Sequence, residues 1–340
     1  MKSKLTILAA LLLLGSVTTA IAAQNEVNVF SYRETSLIKP VLDDFSKETG
    51  IKVNLLFSDK GLIERIAMEG KNSKADLFLT ADIGNLWRFK DEGLAAKIPA
   101  EILSGWPAEL IGGDNLWVAL TLRARLIFAK KGASSSQYMD YTALAEPEWK
   151  GKICIRSGKH PYNIGLISYM IGQYGEDASR TWLQGLKGNL ARRPQGNDRA
   201  QSQAIYNGVC DLAIMNTYYY GLMANNTKEP QQKLWAEAIT PLLPTQDGPG
   251  ANINASGVAL SKYAKNQANA LKLIAFLLDT KAQQKYAELN YEFPASPAVK
   301  SSSFLDQNFK GLKLNLKSLK TVPENLKQAS DLVDEVRFDL

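Results

Sequence analysis

The chain holds one histidine, His160, and two cysteines, Cys154 and Cys210, in 340 residues. A histidine-built zinc site has too few ligands to form, and a Ser-His-Asp triad would rest on that single imidazole. The Gly-x-Ser-x-Gly nucleophile elbow is missing too, so a secreted hydrolase finds little support. Long apolar runs are lacking. The stretch Leu5 to Leu14, broken by Thr6, is well short of the ~20 residues a membrane-spanning helix needs. There is no concentrated basic stripe either: 40 Lys and Arg are interspersed with 34 Asp and Glu, which argues against nucleic acid as a partner.

What the amino terminus does have is an export signal. Lys2 and Lys4 precede the apolar run, and Ala20-Ile21-Ala22 supplies the small residues of a cleavage site. A signal peptide over residues 1–23 is therefore expected, with a soluble mature chain in the periplasm. No cysteine near the cleavage site offers a lipid anchor. Loss of Lys2 and Lys4 takes the formal charge from +6 to +4, a surplus compatible with a small anionic ligand. In an oxidising compartment an even pair of cysteines favours a disulfide, Cys154 to Cys210. Each cysteine stands eight residues before a tyrosine, Tyr162 or Tyr218, so a bridge would bring those tyrosines close.

About 315 mature residues exceed one ordinary core and point to two domains. Strand patterns at Glu26–Ser31, Ile51–Phe57 and Ala75–Leu79 alternate with helical patterns at Leu37–Lys47, Gly61–Met68 and Ile83–Asp91. That order predicts an α/β fold with a parallel sheet, its ligand lying beyond the carboxyl ends of the strands. A second unit follows, with strands at Gly151–Arg156 and Val209–Met215 and helices at Ile164–Gln173, Ser179–Lys187 and Ala200–Asn207. Val118–Phe128 and Ala255–Leu260 read as crossover strands linking two lobes.

The most informative run is Asn216-Thr217-Tyr218-Tyr219-Tyr220-Gly221. Three phenols in a row cannot all face one core. Tyr218 and Tyr219 follow one strand, and Tyr162 follows another in Ser157-Gly158-Lys159-His160-Pro161-Tyr162, so all three belong at strand ends. A deprotonated phenol is a hard anionic ligand suited to a small trivalent cation; an aromatic core cluster or a sugar-stacking platform uses the same residues. Arg33, Arg123 and Arg125 are candidate anion holders, since a buried guanidinium needs an anion. Solvated faces or internal salt bridges are the ordinary alternative for each.

With these pieces in place, the chain resembles the periplasmic ferric-iron-binding proteins of ABC importers. The likeness rests on Ser31-Tyr32-Arg33, Thr121-Leu122-Arg123-Ala124-Arg125, Arg156-Ser157-Gly158-Lys159, Asn189 to Gly196 (NLARRPQG) and the tyrosine triplet. The resemblance implies a two-lobed, hinge-closing (type II, Venus-flytrap) binding protein. Its lobes would be residues 24–121 with 246–296, and 122–245 with 297–340. It implies Fe(III) as cargo on Tyr162, Tyr218 and Tyr219, with a carbonate-like anion completing the sphere. An inner-membrane ABC permease would be the partner and the receptor a monomer rather than an enzyme. Many relatives place a His-Tyr pair where this chain has Glu34 and Thr35. Tyr32 and Glu34 are thus further cleft candidates, Tyr32 as a fourth ligand or as a lid. The competing reading is a phosphate- or sulfate-type oxyanion receptor.

Overall fold

In the computed structural model, which describes residues 25–340, one long mixed sheet runs through the molecule. The expected signal peptide lies outside the described residues. The first half alternates as β1 (Glu26–Ser31), α1 (Thr35–Thr49), β2 (Lys52–Phe57), α2 (Leu62–Glu69), β3 (Leu77–Thr80) and α3 (Ile83–Asp91). The apolar spacing of α1 buries Ile38, Val41, Leu42 and Phe45 along one face. Gly50 then stops the helix at φ 71°, a left-handed value that glycine takes without steric cost. β1 pairs in parallel with both β2 and β3, as βαβ crossovers require.

The chain then enters β4 (Trp117–Lys130), a strand buried along nearly its whole length. Beyond it come β5 (Ile153–Cys154), α4 (Pro161–Tyr174), α5 (Glu176–Gly188), α6 (Asp198–Tyr206), β6 (Leu212–Asn216), α7 (Thr217–Ala224) and the returning β7 (Ile253–Ser261). The strand order is β2-β1-β3-β7-β4-β6-β5. β4 serves two neighbours in turn: Thr121 to Ala124 lie opposite β7, whereas Arg125 to Ala129 lie opposite β6. The two expected crossover strands are therefore adjacent and antiparallel, and the sequence passes from one half to the other at Ala124 and Arg125.

A bulge between Ser256 and Gly257 interrupts the β7–β4 register. A Cβ on Gly257 would stand 2.7 Å from the Val118 carbonyl oxygen and 2.6 Å from Leu86, so only glycine lets the strands close here. The extra residue is Leu120 on β4, and Ser256 lies at the break in register. After β7 the chain forms α8 (Gln267–Leu278), α9 (Thr280–Asn290), α10 (Ser318–Glu324) and α11 (Leu326–Glu335). α8 and α9 cover the first half, burying Leu273, Ile274 and Tyr286 with Val29 and Phe45. Near the carboxyl terminus Val322, Leu332, Val333 and Phe338 join Ile167, Leu183 and Ile214 in the second half.

The strand expected at Gly151–Arg156 is shorter than its sequence suggests, because only Ile153 and Cys154 pair with β6. Beyond them the chain turns into the loop that carries Tyr162. Cys154 and Cys210 are bridged, with Cα atoms 5.9 Å apart, and clamp this parallel pair. The entropy that the unfolded chain regains when a 56-residue loop is opened predicts that replacing both cysteines with serine lowers stability by about 4 kcal/mol. Denaturant midpoints of the parent and the double variant measure this, and equal midpoints would contradict it.

Candidate metal site

Three helix starts converge where the second half faces the first. α4 opens on Pro161, whose missing N–H costs nothing at a helix start. Its cap is His160, where the ring Nδ1 accepts the Tyr162 backbone N–H at 3.1 Å and the imidazole lies edge-on to the Tyr162 ring. Asn197 caps α6 by accepting from Ala200 N. α7 begins at Thr217, directly after β6, so the tyrosine triplet occupies its first turns rather than an extended loop. Helical geometry turns successive side chains by ~100°, which is how three adjacent phenols part company. Tyr218 and Tyr219 stay at the cleft with rings 4.2 Å apart. Tyr220 turns inward against Phe128, Phe304 and Phe309.

A buried carboxylate ties these starts together. Asp198, with no exposed surface, accepts from Arg156 Nη1 at 3.0 Å, Arg125 Nη1 at 3.2 Å and the backbone N–H of Asn216 at 2.8 Å. Arg125 also donates to Asn163 Oδ1 from both Nε and Nη2, at 3.0 and 2.7 Å, and to Asn216 Oδ1 at 3.1 Å. Asn163 in turn holds the Tyr162 loop through the carbonyls of Arg156 and Ser157. Arg125 is therefore fully engaged inside its own half. The structure does not bring it to the cavity as an anion holder; it stands behind Tyr162.

The Tyr162 and Tyr218 hydroxyls meet at 3.3 Å. Arg123, Arg125 and Arg156 place their guanidiniums 5.6, 5.9 and 5.2 Å from the centre of the Tyr162 ring, and Arg199 lies 4.9 Å over Tyr219. This is a strongly cationic setting for ring oxygens. Burial, reinforced by the neighbouring phenols, pushes the Tyr218 hydroxyl well above the ordinary phenol range, and burial raises Tyr219 in the same direction. Both are thus neutral at physiological pH until a cation displaces their protons. A cavity of about 180 Å³ opens beside the three rings. Among the described residues no cluster of three or more His, Cys, Asp or Glu is placed to hold a metal.

The facing wall comes from the first half. Arg33 is buried, with Nη1 donating to Ser256 Oγ at 2.6 Å and to Glu292 Oε1 at 2.9 Å. Burial opposes its charge, but the Glu292 carboxylate, joined by the Tyr286 and Tyr218 phenols, outweighs it and keeps the guanidinium ionised. Arg123 reaches the same Ser256 hydroxyl from its own Nη1 at 3.4 Å. On both arginines Nε and Nη2 are buried without a protein partner. Tyr32 lines this wall too, but its hydroxyl oxygen accepts the backbone N–H groups of Leu62 and Ile63, at 2.8 and 3.2 Å, and so finishes the start of α2. Glu34 is exposed at the rim. Sequence reasoning missed Asp198, Ser256 and Glu292. Asp198 opens α6 as an ordinary first-turn acid does, and no periodicity marks the other two.

The fold and this cleft define a two-lobed α/β solute receptor. The chain belongs to the bacterial extracellular solute-binding protein family, whose profile matches residues 41–310. Iron uptake protein A1 of Synechocystis is 39% identical over 279 residues, covering 81% of this chain and 77% of that protein. Among solved structures, a Bordetella ferric binding protein superposes with a TM-score of 0.87 at 42% identity, covering 93% of this chain and all of that one. A Trichodesmium protein solved in complex with iron and citrate gives a TM-score of 0.86 at 35% identity over 92% of this chain and 99% of its own. The fold is that of the ferric-binding proteins.

Two outcomes follow from the geometry. Asp198→Ala strands two buried guanidiniums and should cost about 3 to 5 kcal/mol in urea unfolding; a change below about 0.5 kcal/mol would show that the triad holds nothing. His160 is lowered by burial, and by repulsion from Arg156 and Arg125, from its ordinary 6.5 to about 4, with Asp198 opposing. The unfolded chain therefore takes up that proton first, and stability falls as pH drops from about 6.5 to about 4. His160→Asn keeps a capping acceptor and should flatten that segment of the stability–pH curve. An unchanged slope would remove His160 from the account.

Proposed function

We propose that the chain is a periplasmic receptor for ferric iron, held on the phenolates of Tyr162, Tyr218 and Tyr219 and delivered to an inner-membrane ABC permease. The observation that carries this reading is the 3.3 Å meeting of the Tyr162 and Tyr218 hydroxyls, with the Tyr219 ring tilted against that of Tyr218, in a cleft without imidazole or thiolate ligands. Three phenolates neutralise a trivalent cation, and hard oxygen donors suit it. The relatives, an iron uptake protein and ferric-binding proteins by name, support the same cargo.

Three phenolates leave a six-coordinate ion short of ligands. A carbonate-like oxyanion fills the remainder, gripped by the free edges of Arg33 and Arg123, each suited to a forked pair of hydrogen bonds. Arg125 has no donor to spare for it. Tyr32 acts as a lid rather than a ligand, because its oxygen is already occupied at the start of α2. The lobes 24–121 with 246–296 and 122–245 with 297–340 would close about β4 and β7, bringing the guanidinium wall onto the loaded phenols. The receptor works as a monomer, without nucleic acid and without catalysis. The same unpartnered guanidinium edges favour the rival oxyanion-receptor reading, and colour separates the two.

Loading with one equivalent of ferric iron should give a visible phenolate-to-iron band and release at least two protons, from Tyr218 and Tyr219. Acid then weakens binding, since protons compete for the phenolates. Tyr218→Phe should remove most of the band, and Arg33→Ala should move iron release to higher pH. Absorbance during an acid titration measures both. An unchanged band in Tyr218→Phe would displace the metal from this site, and a colourless oxyanion complex would favour the rival.

A further inference from the structure

The three phenols are not carried alike. Tyr218 and Tyr219 come directly after β6, which is paired as far as Asn216. Tyr162 stands eight residues beyond Cys154, where the pairing of β5 with β6 ends. Its aim therefore depends on what holds the loop between. Asp198 takes Arg156. The next two residues are taken by Asp339, in the segment after α11. Asp339 Oδ2 accepts the Ser157 hydroxyl at 2.6 Å, and Oδ1 accepts the Gly158 N–H at 2.7 Å. The Ser157 carbonyl in turn accepts from His160 N and from Asn163 Nδ2. A hold on Ser157 is thus passed to residues on both sides of Tyr162.

The segment that presents Asp339 is itself held against strain. Arg337 sits at φ 52°, a left-handed value that is costly for a residue with a long side chain. Lys187 of α5 donates to the Val336 and Arg337 carbonyls, at 3.1 and 2.6 Å. Phe338 is buried, and a Cβ on Gly158 would stand 2.7 Å from its ring. Strain of this kind persists only where the surroundings impose it, and it gathers at sites that must be held in place. The nearby ion pair of Lys159 with Asp334 is exposed on both sides and adds little.

We propose that Asp339 is a positioning residue for the metal site. The segment after α11 is a strap that fixes the Tyr162 loop before the cation arrives, so that little binding energy is spent on ordering it. The inference rests on the ferric-iron reading above.

Two measurements on the mature protein test it. Amide hydrogen exchange without iron reads the strap, and competition with citrate for ferric iron, followed by the visible band, reads the affinity. Asp339→Ala should speed exchange in residues 157–163 about tenfold and lower iron affinity about tenfold, because a freed loop must be ordered at each binding event. Exchange in residues 216–220 should not change. Asp339→Asn keeps an acceptor for Gly158 and an amide for Ser157, so both readouts should stay within about threefold of the parent. If Asn behaves as Ala does, charge and not position is at work, and the proposal fails. Ile38→Val, a core change in the first half, should lower the unfolding midpoint and leave both readouts alone. An equal loss of affinity there would reduce Asp339 to bulk stability. Parental affinity in a folded Asp339→Ala protein, even with faster exchange, overturns the proposal. Should that variant fail to fold, Ser157→Ala removes one of the two bonds and must still weaken iron binding and speed exchange; parental values overturn the idea. A parent protein with no visible band defeats the iron reading, whatever the exchange shows, and the positioning role with it.

Discussion

The buried contact of Asp198 with Arg125 and Arg156 is the interaction on which the cleft depends. Each of these residues belongs to a different segment: Arg125 to β4, Arg156 to the loop before α4, and Asp198 to the start of α6. The same carboxylate takes the backbone N–H of Asn216, which precedes α7. One buried charge thus fixes the launch points of the helices that carry Tyr162, Tyr218 and Tyr219. Such a triad contributes little net stability when complete, because desolvation offsets the attraction. Its effect is positional. Half-satisfied, it would cost several kcal/mol, so alternative arrangements of the three starts are disfavoured.

The strand β4 divides the labour between the walls. Arg123 and Arg125 are two residues apart and so lie on the same face. Their neighbours differ, since Arg123 stands opposite Asn254 of β7 and Arg125 opposite Asn216 of β6. The first lines the cavity and keeps two buried donors without a protein partner, and the second is absorbed into the network behind Tyr162. One wall supplies neutral phenols that become anionic only against a cation. The other supplies permanent positive charge, tempered by Glu292.

Much of the fold was legible because its signals are local. The α1 pattern ends at Gly50, and α3 begins after Asp82, whose side chain accepts from Gly84 N. The matching spacing of Cys154 and Cys210 before their tyrosines also reflects a local fact, two parallel strands leading to two helix starts. The strand at Gly151–Arg156 was overextended because β-like residues continue past the point where pairing stops. The placement of Tyr162, Tyr218 and Tyr219 at strand ends was readable, and three adjacent phenols already implied that Tyr220 parts from the others; the helix that turns it inward was not. Arg125 could not be told from Arg123, because the partners that separate them lie 38 to 91 residues away. Glu292 reaches Arg33 across 259 residues, and no pattern in a single sequence announces such a pair.

The most direct measurement is anomalous diffraction at the iron edge from crystals of the ferric-loaded protein. The account predicts one iron within bonding distance of the Tyr162, Tyr218 and Tyr219 hydroxyl oxygens, with an oxyanion between it and the free edges of Arg33 and Arg123. An iron atom bound elsewhere, or an oxyanion seated on those arginines with the Tyr162 and Tyr218 hydroxyls still hydrogen-bonded to each other, would contradict it.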